Sequence, residues 1–393
     1  MIAFSSGPRI GLIDVAIRSD GDIVIDGSSE RWLDFGVPGQ VSWGLGPAFA
    51  DGKRLIVTSY EDRTIANLVS GQATTHNWIF DLATGGLTEI LTKERLAPFQ
   101  YCVAILPSGG IVVNAMLDGE ERIFTTDLDG GNVRALTAAG EGFCYGVRLS
   151  PDGERLAFHV TAGKSEKEDR ASWFRPGPYS INSLRVDGTQ RVLVAGKPGH
   201  LYFGPDWSPD GEWLAYLDCH CDDDPAHFWA DLCIGRADGS EQRVVTTGQR
   251  HWFGTTFGTR EHRSGGSNLA RWTPDGKYVS YTRVAPGSHP DCLYHPELPD
   301  HCECVYRPEL ARGGSQVCLL EPFTGDVIEV TGFEENCWDF RPACSPDGQY
   351  IVFTRARVGE ASELWVSDVE GKNQRLLARG RDGYGTDAGR WMN

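Results

Sequence analysis

Four turns in this chain share one spelling, Ser/Thr-Pro-Asp-Gly, at 150–153, 208–211, 273–276 and 345–348. Each separates two short apolar runs, and looser copies stand at Ala50-Asp51-Gly52 and Pro107-Ser108-Gly109. Such a repeat constrains the fold more than composition does, because a period decides which residues can meet. The closing glycines stand at 52, 109, 153, 211, 276 and 348, so successive units differ in length.

After each glycine, a run rich in branched and aromatic residues predicts a strand: Arg54 to Thr58, Gly110 to Asn114, Arg155 to Val160, Glu212 to Leu217, Lys277 to Thr282 and Gln349 to Thr354. A variable stretch and a third strand follow, ending at a second tight turn such as Asp129-Gly130, Asp187-Gly188 or Asp238-Gly239, with a short fourth strand beyond. The chain ends supply one more unit in pieces: strands at Met1 to Ser6, Ile10 to Ile17 and Asp22 to Ile25, and a lone strand at Ala388 to Met392. The expected fold is all-β, a single domain over 1–393. It is a seven-bladed β-propeller of four-stranded antiparallel blades, its last blade split between 1–28 and 386–393. One C-terminal strand joins three N-terminal strands and closes the ring, which leaves no free sheet edge.

Pro205-Asp206-Trp207-Ser208-Pro209-Asp210-Gly211-Glu212-Trp213-Leu214-Ala215-Tyr216 resembles the repeat of TolB-like propellers, roughly Pro-x-Trp-Ser-Pro-Asp-Gly-x-x-Ile-Ala-Phe. The resemblance covers almost the whole chain and is specific for fold. Binding scaffolds, peptidase side domains and polysaccharide lyases all use this repeat, so fold alone settles no function.

A net charge of −17 argues against nucleic acid, which needs a basic footprint, though an acidic shell does not exclude a basic pocket. No apolar run approaches the roughly 20 residues of a membrane span. The first strand begins at Met1, so the expected location is cytoplasmic, or secreted if a leader was removed. Of the eleven cysteines, Cys102, Cys144, Cys233, Cys318 and Cys344 fall in predicted strands, where a thiol behaves as a small hydrophobe.

In an antiparallel meander all the tight glycine turns share one face of the ring, and the longer connections share the other. All ten histidines fall in or beside the longer connections. Histidine moves protons near neutral pH and ligates metals, so the loop-rich face is the expected site. The long insertions Glu61 to Thr75, Thr161 to Pro178, Gly248 to Asn268 and Val284 to Gly314 lie on the same face and would wall a cleft.

Residues before each first strand and after each second strand are expected at the channel mouth. His76, Tyr145, His159 and His200 are the acid–base candidates. Gln100, Arg148, Tyr202, Arg260, His262, Trp338 and Arg341 are the substrate-binding candidates. Aromatic platforms beside arginines suit a ligand with sugar faces and carboxylates.

This set resembles that of propeller-fold lyases acting on uronic-acid glycans: oligogalacturonate, ulvan and rhamnosyl-glucuronate lyases. The resemblance implies β-elimination from a uronate-containing oligosaccharide or polysaccharide. In the ulvan type it implies two histidines, a tyrosine and an arginine. His76 and Tyr145 fill the first and third places, while Gln100 and His159 stand where the second histidine and the arginine would be. The late-blade histidines that hold a divalent metal in the oligogalacturonate type have no counterpart here, since no histidine follows His301. The rival reading is a TolB-like propeller that binds a glycan or peptide without catalysis. A sugar hydrolase would need facing carboxylates, for which Asp339 and Asp387 are the pair on offer.

Cys219, Cys221 and His227 lie in one long connection, and Cys302 and Cys304 in the next. A structural zinc ion stapling the two insertions, a disulfide and unrelated thiols are the three readings of these residues. Asp222 to Asp224 reads as a solvated acidic loop or a calcium site. Beyond that metal, no cofactor is expected.

Overall fold

The computed structural model describes residues 1–18, 21–34, 41–61, 74–161, 179–220, 229–247, 254–259, 261–288 and 312–392. Among them every regular element is a β-strand.

The Ser/Thr-Pro-Asp-Gly turns form for local reasons. In 150–153 the Ser150 hydroxyl donates to Asp152 Oδ1 at 2.5 Å and accepts from the Arg155 N–H at 2.9 Å, while the same carboxylate oxygen takes the Glu154 N–H at 3.0 Å. Gly153 supplies the left-handed φ of +74° that closes the turn. The same three bonds recur around Ser208, Thr273 and Ser345. These hydroxyls and carboxylates are consumed by their own turns.

The strands assemble in fours. Phe143–Leu149, Arg155–Thr161, Tyr179–Arg185 and Val192–Ala195 form one antiparallel group, and Leu201–Trp207, Trp213–His220, Trp229–Arg236 and Gln242–Val244 the next. A single parallel pair, Tyr179 with Leu201, merges these two groups into one eight-stranded sheet. Groups within 271–329 and 337–379 merge in the same way through Gly314 with Cys337 and Ser315 with Trp338. Groups within 41–90 and 100–135 stand as separate four-stranded sheets. The remaining four-stranded sheet is the split one: Asp387–Trp391 pairs with Ile2–Ser6, which continues to Arg9–Ile17 and Ile23–Asp34. Its last strand runs to Asp34, beyond the boundary at residue 28 that the sequence suggests, because Arg9 to Leu12 pair with Arg31 to Asp34.

Burial follows strand order. Second strands such as Ile2–Ser6 and Tyr350–Arg357 are almost wholly buried, while the fourth strands Arg134–Ala135 and Gln242–Val244 are exposed. The core lies between sheets, where the two inner faces interdigitate. Each group packs on its neighbours in sequence. The split group closes the succession: Phe4 and Ile13 pack with Val352 and Leu364 on one side, and Leu12 with Leu55 and Phe80 on the other. The cysteines expected in strands are free thiols, Cys102, Cys144, Cys233 and Cys318 buried and Cys344 partly so.

First strands meet in the middle. Trp207 Nε1 donates to Arg148 O at 3.1 Å, the Trp272 N–H to Asp206 Oδ2 at 3.0 Å, and Trp391 Nε1 to Ala343 O at 3.1 Å. Arg390 donates to Gly46 O and so links the last first-strand to the earliest one.

Most first strands also carry a β-bulge, which bends the strand and re-aims the side chains beyond it. At four of them the residue four before the turn-start position has positive φ: Gly146 (+66°), Gly204 (+65°), Arg341 (+53°) and Ala388 (+51°). A Cβ on Gly146 would lie 2.4 Å from the His159 ring. Gly146→Ala is expected to cost about 3 kcal/mol in urea unfolding, from left-handed strain plus the clash. Gly140→Ala, with φ +86° and open space around it, is expected to lose only the strain, about 1 kcal/mol.

Candidate functional site

His200 sits at the start of Leu201–Trp207, where the chain turns in from the preceding group. Its Nδ1 lies 2.8 Å from Asp218 Oδ2 on the adjacent second strand. The imidazole is 41% exposed while Asp218 is 8% exposed, so a buried carboxylate backs an open ring. Burial holds the Asp218 carboxyl above the usual carboxylate range, and His200 opposes that shift. The Tyr202 ring lies flat against the imidazole at 5.4 Å and 10° and is itself buried, so it serves as a backing plate rather than an open surface.

Tyr145 belongs to the same neighbourhood. Its hydroxyl is hydrogen-bonded to that of Tyr179, whose N–H donates to His200 O at 3.2 Å. Burial first, then Tyr179, keeps the Tyr145 phenol protonated far above neutral pH. Its ring meets the His159 ring edge-on at 3.9 Å.

His159 is fully buried, packed between Tyr145 and Phe203, and its Nδ1 accepts the Gly204 N–H at 3.4 Å. Burial pushes its pKa down to about 3. It is therefore a neutral core imidazole, with Nε2 unpartnered among the described residues.

The remaining candidates are scattered. His76 is on a third strand, held between Glu89 at 2.6 Å and Glu61 at 3.2 Å. Gln100 is buried, and its Oε1 accepts the Leu96 N–H at 2.9 Å. Trp338 is buried against Phe340, Val284 and Ala356. Arg341 pairs with Asp387, while Asp339 is gripped by both Nε and Nη2 of Arg355 at 2.7 Å, so each carboxylate of the facing pair considered for hydrolysis is committed to an arginine. His262, between the strands of an extra hairpin of Gly254–Gly258 and Arg263–Ser267, meets the Tyr384 ring at 4.1 Å and a 40° tilt and so reaches the segment leading to the C-terminal strand. Arg260 lies outside the described residues.

Of the five expected zinc ligands, Cys221, His227, Cys302 and Cys304 lie outside the described residues. Cys219 is buried in the core that includes Leu217 and Leu232. The described residues bring together no group of three or more His, Cys, Asp or Glu fit to hold a metal ion.

Sequence reasoning placed Arg148 at the site but missed Arg271 and Arg390. All three occupy one repeat slot with Asp206, each just before the position filled by Leu149, Trp207, Trp272 or Trp391. The signal was there in the recurring x-Trp pair. Arg148 Nε stands 3.8 Å and Arg271 Nη1 3.7 Å from Asp206 Oδ1.

Sheets packed in sequence order around meeting first strands define the class: a β-propeller. No protein-family profile matches the chain. Among solved structures it is similar to an oligogalacturonate lyase in complex with manganese, at TM-score 0.53 and 16% identity over 95% of this chain and 86% of that one. The oligogalacturonate lyase of Vibrio parahaemolyticus gives TM-score 0.53 at 13% identity with the same coverage. A puromycin hydrolase gives TM-score 0.53 at 14% identity, over 96% of this chain and 53% of that one. Among curated proteins the chain is 25% identical over 219 residues to the uncharacterized peptidase YuxL of Bacillus subtilis (strain 168). That match covers 53% of this chain and 28% of the peptidase, so the chain spans only part of it. The propeller resemblance read from the turns therefore holds, with lyases and peptidases both among the proteins that share the fold.

Proposed function

We propose that the four-stranded groups are the seven blades of a closed propeller, and that the protein is a lyase cleaving uronic-acid-containing oligosaccharides or polysaccharides by β-elimination. The observation that carries this reading is the open His200 imidazole backed by the buried Asp218 carboxylate, with the Tyr145 hydroxyl tied through Tyr179 to the same backbone.

In this reaction the C5–H bond of the uronate breaks, its electron pair forms the C4–C5 double bond, and the C4–O bond breaks with its pair leaving on oxygen. His200 Nε2 takes the C5 proton, and Asp218 orients the ring through Nδ1–H. Tyr145, a phenol that stays protonated, gives its proton to the departing oxygen. The C5 proton is weakly acidic until the neighbouring carboxylate is neutralised, so the reaction also needs a cation or amide donor beside that carboxylate.

The test is incubation with a panel of uronate-containing glycans, followed by the ultraviolet absorbance of the C4–C5 double bond in the product. Appearance of that band on at least one glycan is expected. Its absence on every member of the panel would sink the lyase reading.

A further inference from the structure

We infer that the central space holds a binding site for one oxyanion, a carboxylate or sulfate group, formed by Arg148, Arg271 and Arg390 around Asp206. Three of the first strands place an arginine in the same slot, and these strands come from groups that are not adjacent in sequence. Their guanidinium groups nevertheless act on one another: Arg271 feels both Arg148 and Arg390, and Arg390 feels Arg148. The geometry agrees: Arg148 Nε and Arg271 Nη1 both approach Asp206 Oδ1, at 3.8 and 3.7 Å, and Arg390 reaches Gly46 O on another first strand, so the three project toward one interior.

Among the described residues the charges there do not balance. Asp206 is the one carboxylate acting on Arg271 among the described residues, and it stands at 3.7–3.8 Å from two of the guanidiniums, short of a bidentate grip. Among the described residues, the other bonds that Arg148, Arg271 and Arg390 make are to the backbone oxygens of Val147, Ala270 and Gly46, which carry no full charge. Burial, then Arg148, push the Arg271 pKa down to about 9, with Asp206 opposing and Arg390 adding. Burial, then Arg148, push Arg390 down to about 10. Both remain cations at neutral pH, held close to like charge inside a molecule whose net charge is −17.

A cationic cluster short of counter-charge and partly withdrawn from water destabilises the fold that contains it. A bound oxyanion removes the imbalance and uses what guanidinium geometry offers, planar forks that give paired N–H donors to two oxygens at once. Arg271 keeps 26% of its side chain accessible and Arg148 39%, so the cluster is open to a small solute although it lies where the first strands meet. His200 directly precedes the strand that carries Asp206, six residues and roughly 20 Å along it at about 3.3 Å per residue. The oxyanion site is thus set apart from His200, and the inference stands without the lyase reading.

The test is a titration of the intact protein with sodium galacturonate, sodium sulfate and sodium chloride at equal ionic strength, read by calorimetry and by Tm. Saturable binding of galacturonate or sulfate, above the chloride response, is expected, and the arm that responds more strongly identifies the group. Arg271→Gln is expected to weaken that binding at least about tenfold, while Arg271→Lys, which keeps charge but loses the fork, falls between. Without ligand at low salt, Arg271→Gln is expected to have a Tm above the wild type, because a repelling charge is gone. His200→Gln is expected to bind the anion unchanged, so loss of turnover and loss of anion binding separate cleanly. Responses no greater than chloride in the wild type, or unchanged affinity in Arg271→Gln, would overturn the site.

Discussion

His200→Gln is expected to lower kcat on a responsive uronate glycan by about 10²–10⁴-fold, the usual contribution of a positioned general base, while KM moves little. The imidazole is 41% exposed and its removal opens no core cavity, so Tm is expected to stay close to the wild type. Asp218→Asn tests the positioning role. It keeps the shape but removes the charge that favours the imidazolium, so kcat falls and the pH profile of kcat moves with it. A merely structural Asp218 would change Tm and leave the pH profile in place. Full activity in His200→Gln would remove His200 from the reaction.

Stability between pH 4.5 and 6.5 is expected to be nearly flat in the wild type and to tilt in opposite directions in two variants. His159 has its pKa lowered from 6.5 to about 3 by burial. Over that interval the unfolded chain binds the extra proton, so His159 contributes stability above pH 6.5 that is lost as the pH falls. Glu121 has its pKa raised from 4.5 to about 7, by burial first, against the bonds from Tyr101 and Asn114. There the native state binds the extra proton, so its contribution is present below pH 4.5 and is lost as the pH rises toward 7. Each slope is about 1.4 kcal/mol per pH unit, and they cancel where the windows overlap. Removing one group exposes the other: His159→Gln gains stability on acidification from pH 6.5 to 4.5, and Glu121→Gln loses it, each by roughly 3 kcal/mol across the window. Urea unfolding at four or five pH values reads both slopes, and parallel profiles in wild type and variants would refute the assignment.

Much of the fold was legible because its signals are local. The turn at 150–153 is closed by bonds among residues 150 to 155, and the sequence of those six residues suffices to form them. The strands predicted from Arg54, Arg155, Lys277 and Gln349 lie within two residues of their observed starts for the same reason. The pairing of Asp387–Trp391 with Ile2–Ser6 was legible as well, since each end carried an incomplete unit that only the other could complete.

The site was less legible, because its geometry depends on which side of a strand faces the interior and on what covers it. His159 and His200 look alike in sequence, each beside a strand end on the loop-rich side. One is a neutral core side chain between Tyr145 and Phe203, and the other an open ring on a carboxylate. Neighbouring sheets decide that difference, and no residue adjacent to either histidine announces it.

The arginines show both limits at once. The sequence alone determined that Arg148, Arg271 and Arg390 share a slot with Asp206, because the turn motif fixes the register of each first strand. Only the tertiary structure decided that this slot faces a common interior. The β-bulge upstream sets which way a side chain leaves its strand, and closing the last sheet onto the first brings charges from distant units together. Hydrogen bonds within six residues write the repeat, and long-range packing of sheet on sheet gives it a centre.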